Sequence, residues 1–208
     1  MANHIDHTYF INEIHVPNAK NNNPGAPIPN GGELESMIAK HEPKMLECLF
    51  GYKMYAEYVK ALEDNAETID ALPAKWKAIR TGGEYTCTSG GLRKWKGFVN
   101  DEKVSPIANY VFVQLLSHRA SQMTGVGTKG TATENSVAVA PIYKQVPAWN
   151  EMVDMLIELH QFLIANQSDY PDYVGIQYNP SWYHVITDAL CSCSCNYKLF
   201  KKRNTWNI

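Results

Sequence analysis

The chain lacks what would place it in several large classes. Nowhere do about eighteen apolar residues follow one another, and the opening MANHIDHTYFINEIH holds no apolar run of signal-peptide length. The expectation is a soluble chain made in a cytosol, with no membrane partner. An excess of one charge sign is also missing. Lys plus Arg is 19 against 21 Asp plus Glu, a formal net charge of -2, which excludes a protein that coats nucleic acid by bulk electrostatics. Its 5 cysteines are odd in number and three of them crowd into CSCSC, unlike the paired framework of a small secreted domain. No internal repeat occurs, and no nucleophile stands at motif spacing from a base.

With 208 residues and 45% hydrophobic content, the chain can bury one proper core without disulfide or metal. Residues 1–32 read as an N-terminal arm, because VPNAKNNNPGAPIPNGG (Val16 to Gly32) is almost wholly Asn, Pro and Gly, which penalise helix and strand interiors. From Glu33 the apolar residues Met37, Ile38, Leu46, Leu49, Phe50, Met54, Tyr58 and Leu62 recur at helical steps. Pro43 predicts a kink or two helices meeting near His41 to Pro43, and Gly51 a second bend. Leu72, Trp76 and Ile79 share the face of a short helix with Pro73 in its first turn, closed by Gly82 and Gly83. The run EYTCTSGGLRKWKGF reads as a hairpin turning at Ser89, Gly90 and Gly91, folded onto the helices by Trp95 and Phe98. Ser105 and Pro106 predict a cap and first turn for a helix through Ile107, Tyr110, Val111, Leu115, His118 and Met123. Pro147 and Trp149 open another, with Met152, Val153, Leu156, Leu159, Phe162 and Leu163 in one stripe.

Between these last two helices lies GVGTKGTATENSVAVAPIYKQV, Gly125 to Val146, a polar and glycine-rich excursion that then alternates in strand fashion. Loops of that length with no apolar face of their own are uncommon in compact domains and belong to a function or to a neighbour. Beyond Asn166 regularity fades, a short helical piece spans Val185 to Leu190, and a basic tail follows. The expected fold class is mainly α: a helix bundle with a short β-hairpin, a long extended loop or hairpin excursion, and an irregular N-terminal arm. Residues 33–190 form the bundle domain, with 124–146 as the excursion and 191–208 as the tail.

Each candidate for chemistry has a plainer reading. Gly125, Gly127 and Gly130 spell GxGxxG, but a dinucleotide fingerprint must follow a strand and open a helix, and here a helix precedes and an alternating run follows. A flexible hinge is the favoured reading. Cys191, Cys193 and Cys195 could ligate a metal with His184, although structural zinc sites want pairs two to four residues apart plus a second pair, which only Cys48 and Cys87 could supply. Reduced thiols are preferred, and no cofactor, metal or catalytic residue is assigned. His118 and His160 read as hydrogen-bonded helix histidines, and Asp169 and Asp172 as turn formers. In KLFKKRNTWNI, Lys198, Lys201, Lys202 and Arg203 mix with Phe200 and Trp206, a composition able to touch phosphate or dock on an acidic partner.

Four segments, HEPKMLECLFGYKMYAEYVKAL, RKWKGF, SPIANYVFVQLLSHRASQMTGVG and ENSVAVAPIYKQVPAWNEMVDMLIELHQFL, together resemble the head-tail connector (head-completion) proteins of tailed bacteriophages of gut Bacteroidota, including crAss-like phages. The resemblance covers roughly Glu33 to Ala165, and the Asn/Pro arm and CSCSC tail lie outside it. It implies a structural, non-enzymatic adaptor in the virion, assembled in the host cytoplasm as a homo-oligomeric ring, commonly a dodecamer. Such a ring sits between the portal protein and the next tail-ring protein, around a channel through which DNA passes at genome ejection. Near-neutral charge suits a conduit, since a strongly basic lumen would hold DNA. The interface expected from both readings comprises Gly125, Gly127, Gly130, Val137, Val139 and Tyr143 of the excursion and Lys201, Lys202, Arg203 and Trp206 of the tail. Two extended legs of about ten residues reach roughly 33 Å, enough to cross a subunit boundary. The alternatives are another phage tail-completion or assembly factor and a small metal-binding protein.

Overall fold

The computed structural model describes residues 3–17, 19, 31–65, 69–87, 90–120, 122–124, 127–129 and 142–173. In chain order the elements are α1 (Gly31–Asp64), α2 (Ala74–Thr81), β1 (Gly83–Thr86), β2 (Leu92–Trp95), α3 (Pro106–Ala120), β3 (Gln122–Thr124), β4 (Gly127–Lys129) and α4 (Ile142–Ala165). Two single-turn 3-10 helices, His7–Tyr9 and Asn12–Ile14, precede them, and a third, Ile69–Ala71, lies between α1 and α2. The fold is mainly α with short antiparallel hairpins, as the sequence pattern predicts.

The central element is α3. Residues Ile107 to Phe112 are all buried, so this half of the helix has no solvent face, and it packs on α4 along one side and α1 along the other. It starts where expected, with Ser105 before Pro106 as first helical residue, but the serine side chain does not cap it. The Ser105 hydroxyl is buried with no hydrogen-bond partner, and the first turn closes instead through the Ser105 carbonyl, which accepts from the Asn109 amide at 3.2 Å. Buried Asn109 then reaches α4, donating to the Ala148 carbonyl at 3.2 Å and to Glu151 Oε2 at 2.8 Å.

The bend expected at Gly51 is present, whereas the helix boundaries expected at Pro43 and Pro147 are not. Pro43 lies inside α1, and the residue that leaves helical geometry is Gly51, at φ 74 and ψ 159. The bend there is sharp: the Phe50 and Tyr58 rings meet edge to face with centroids 5.6 Å apart, whereas eight helical residues would separate them by about 12 Å. Likewise α4 begins at Ile142, so Pro147 sits within it rather than at its first position. A proline there removes only the bond to the Tyr143 carbonyl, and Tyr143 is 61% exposed, where water can satisfy that oxygen.

The first hairpin pairs Gly83 with Trp95 and Thr86 with Leu92, and its turn is closed by Gly90, whose φ is 87. Trp95 and Phe98 are buried as expected, and the indole of Trp95 donates to the Ile79 carbonyl at 2.9 Å. The second hairpin, β3 with β4, pairs Met123 with Thr128, so Met123 lies on a strand rather than on the end of a helix.

The N-terminal segment corrects the reading of residues 1–32 as one arm. It is irregular, but His4, Ile5, Tyr9, Phe10, Ile14 and Val16 are all buried in the core of their own chain. Its apolar residues follow neither a helical nor a strand period, which concealed them. Within this segment the Asp6 carboxylate caps the first 3-10 turn, accepting from the Thr8 amide at 2.9 Å.

Candidate functional site

One end of the bundle gathers three helix termini. The first turn of α1 and the last turn of α3 are joined by Glu33 and Arg119, whose Nη2 and Nε both donate to Glu33 Oε2, at 2.8 Å and 3.2 Å. The first turn of α4 joins them through Gln145, whose amide donates to Ser117 Oγ at 2.9 Å. The antiparallel run of α3 and α4 makes this meeting possible. Hence Gly31, Ala120 and Ile142 meet at this one end, and Ile142 to Val146, expected as the close of the excursion, are the first turn of α4 instead.

Here a cleft of about 440 Å³ opens between α1 and α3, lined by Glu33, Met37, Lys40, His41, Ser117 and His118 among others. Burial, with Lys40, Lys44 and His118 nearby, holds the His41 imidazole down to about 4, so it is neutral at physiological pH. Ser117 is no nucleophile for His118, because its hydroxyl donates to the Val113 carbonyl at 3.0 Å while accepting from Gln145. The cleft offers hydrogen-bonding groups and one lysine rather than a nucleophile, base and orienting group in line.

The second polar cluster is sealed. His4 lies between two residues of α1: Nδ1 is 2.7 Å from Glu42 Oε1 and Nε2 is 2.6 Å from the Tyr58 hydroxyl. The His4 backbone amide donates to the same Glu42 oxygen at 2.9 Å. Burial pushes the Tyr58 phenol up, partly offset by Arg80 beside it. The His4 side chain is 0% exposed and that of Glu42 3%, so no substrate reaches this cluster, and its role is to fix the N-terminal segment across the Gly51 bend.

Of the residues singled out in the sequence, Gly127 stands in β4 and Tyr143 is exposed on the first turn of α4. Gly125, Gly130, Val137, Val139, Lys201, Lys202, Arg203 and Trp206 lie outside the described residues, as do His184, Cys191, Cys193 and Cys195. Cys48 is buried and its thiol is pushed up to about 11 by that burial and by Glu47, the setting of an inert core thiol. Among the described residues no three His, Cys, Asp or Glu side chains converge as metal ligands, and no helix is long and apolar enough to cross a membrane. His160 bonds Tyr173 at 2.8 Å, and burial lowers its pKa. Asp172 pairs with Lys53 at 2.6 Å, while the Asp169 amide closes a turn on the Asn166 carbonyl.

Sequence reasoning missed the Glu33–Arg119 and Gln145–Ser117 contacts and the whole His4 cluster. A carboxylate in a first helical turn and an arginine in a last one are visible in the sequence, but ordinary helix-dipole preference explains each by itself. No family model, curated protein or solved structure matches the chain.

Proposed function

We propose that the chain is a structural subunit of a phage head-tail connector, a ring-forming adaptor between portal and tail that carries no catalytic site of its own. The observation that carries this reading is the convergence of the start of α1, the end of α3 and the start of α4, held by Glu33–Arg119 and Gln145–Ser117, the points from which the chain leaves toward the Asn/Pro segment and the glycine-rich excursion. Surfaces that gain partners on assembly are favoured where several polar, glycine-rich segments leave a rigid scaffold together, because the scaffold fixes their roots at little entropic cost. The exposed Tyr143 ring at the root of the excursion fits the same role, since tyrosine is enriched at protein interfaces. The resemblance of four segments to connector proteins supplies the particular assembly: a homo-oligomeric ring, with the portal protein and the next tail ring as its neighbours.

The test is deletion of residues Gly127 to Ala140, with native mass and negative-stain images as readouts. The expected outcome is an unchanged bundle, with the same helical signal and urea midpoint, that no longer forms rings. Rings assembled as efficiently by the deletion variant would remove the proposal.

A further inference from the structure

The N-terminal segment is held as a separate piece is held. Between Ala19 and Gly31 the chain runs KNNNPGAPIPN, in which Ile28 is the one large apolar residue. On the far side of that link, His4 to Val16 bury five large apolar side chains and one keyed histidine against surfaces that other elements supply. His4 meets Glu42 and Tyr58 of α1, the Tyr9 hydroxyl accepts from the Asn100 amide at 3.2 Å, and the Asn12–Ile14 turn packs on α3 and α4. None of these partners lies within the segment, so the seat is a property of the bundle and any copy of the bundle presents it.

Glu42 and Tyr58 stand on either side of the Gly51 break. Along an unbroken helix they would be about 24 Å apart, yet one imidazole touches both, so the segment clasps a bent α1. The link sets the reach. Twelve steps from Ala19 to Gly31 at full extension span about 40 Å. The long helix α4, at 24 residues, is about 36 Å from end to end, so the link covers the dimension of one bundle.

We propose that residues His4 to Val16 are an exchangeable clasp, seated on the Gly51 bend of their own chain when free and on the same seat of the neighbouring copy in the assembled ring. The occupant of the seat is thus a second copy of this chain. The exchange rests on the ring-forming reading, and it ties subunits together through a noncovalent seat at the end of each chain's own peptide link: each copy contributes a clasp and receives one, the closed head-to-tail relation that a ring permits and that domain swapping builds without new chemistry. Burial of the five apolar side chains is the same in either seat, so choice between seats follows from concentration and from the contacts formed around the link.

The test uses full-length chains. One copy carries a benzoylphenylalanine photoprobe in place of Ile11, which is 38% exposed and faces Lys103 and Val104 across a cleft of about 260 Å³. The same copy bears Lys103→Arg as a mass label on its own seat. It is co-expressed with an equal amount of unlabelled wild-type chain. After irradiation the monomeric and oligomeric fractions are separated, and the joined peptides are read by mass spectrometry. Exchange gives wild-type seat peptide in about half of the joins in the oligomer, with none in the monomer. An oligomer in which every join carries the Lys103→Arg label overturns the exchange and leaves ring formation standing. Absence of any oligomer overturns both. Should the probe at position 11 prevent folding, the exposed Glu13 on the rim of the same cleft takes it instead.

Discussion

His4 is wholly buried between a carboxylate and a phenol, and removing it would strand both in a medium that cannot solvate them. Glu42 Oε2 already lacks a hydrogen-bond partner, so Oε1 carries the whole compensation for that buried carboxyl group. Breaking a buried pair by deleting one member costs far more than the pair is worth against water. His4→Ala is expected to lower unfolding free energy by about 3 kcal/mol in urea titration. A loss below about 0.5 kcal/mol would mean that the cluster does not hold the segment. His41 makes the opposite case, a histidine kept neutral. Its folded value is about 4 against an ordinary 6.5. Above pH 6.5 neither state binds the proton; between 6.5 and 4 the unfolded chain takes up a proton that the folded chain refuses, so stability falls as pH falls; below 4 the loss is complete. The site is partly exposed, so solvent screening holds the loss near about 1 kcal/mol. His41→Gln should remove the larger part of that loss from the difference in unfolding free energy between pH 7 and pH 5, measured by urea titration. Neither histidine announced its role in the sequence, because the partners of His4 lie 38 and 54 residues away. His118, singled out for its helix, proved to line the open cleft, and His160 to bond Tyr173.

At the scale of elements, glycines decide where the chain turns, and they do so for different physical reasons. Gly82 ends α2 with φ 99, and a Cβ there would lie 2.5 Å from the Trp95 carbonyl oxygen. Gly97 has φ 86, and its Cβ would lie 2.5 Å from the Gly82 nitrogen. These two backbones lie against each other, which presses the first hairpin onto α2 and lets Trp95 reach the Ile79 carbonyl. Gly90 shares the positive φ, at 87, but has nothing within 4 Å of such a Cβ. Gly90→Ala should therefore cost only the left-handed backbone penalty, about 1 kcal/mol. Gly82→Ala and Gly97→Ala add a backbone collision that no rotamer relieves, and each is expected to cost at least about 3 kcal/mol by thermal or urea unfolding. Equal costs at all three positions would show that conformation alone matters. The hairpin and the short helix were legible because turn glycines and spaced aromatics are local signals. The Gly51 bend was legible too, but the boundaries read at the two prolines were not. Pro43 and Pro147 look like boundaries by local rules, yet tertiary packing continues the helix through both, while Gly51 takes the bend because φ 74 is open to glycine.

For the whole molecule, composition exposed the glycine-rich excursion and the Asn/Pro segment, but not that the start of α1 and the end of α3 beside them meet, which depends on a contact between residues 86 apart in the chain. That contact also separates folding from assembly. Glu33 and Arg119 are each about a quarter exposed, so their attraction is worth only about 1 kcal/mol to the isolated fold. If the ring proposed above meets at this end, a shift of these helix termini recurs at every joint, so a change that each bundle tolerates can still stop closure. Glu33→Arg alone, or Arg119→Glu alone, is thus expected to shift the urea midpoint slightly and to abolish rings in native mass spectra. The double reversal restores opposite charges at the same two positions, and with them the relative placement of the roots of both segments, so it should recover assembly. Single reversals that assemble like the parent chain would show that this end of the bundle is not where subunits meet, and would move the search for the interface to the opposite end, where Tyr52 and Leu92 present their side chains to solvent.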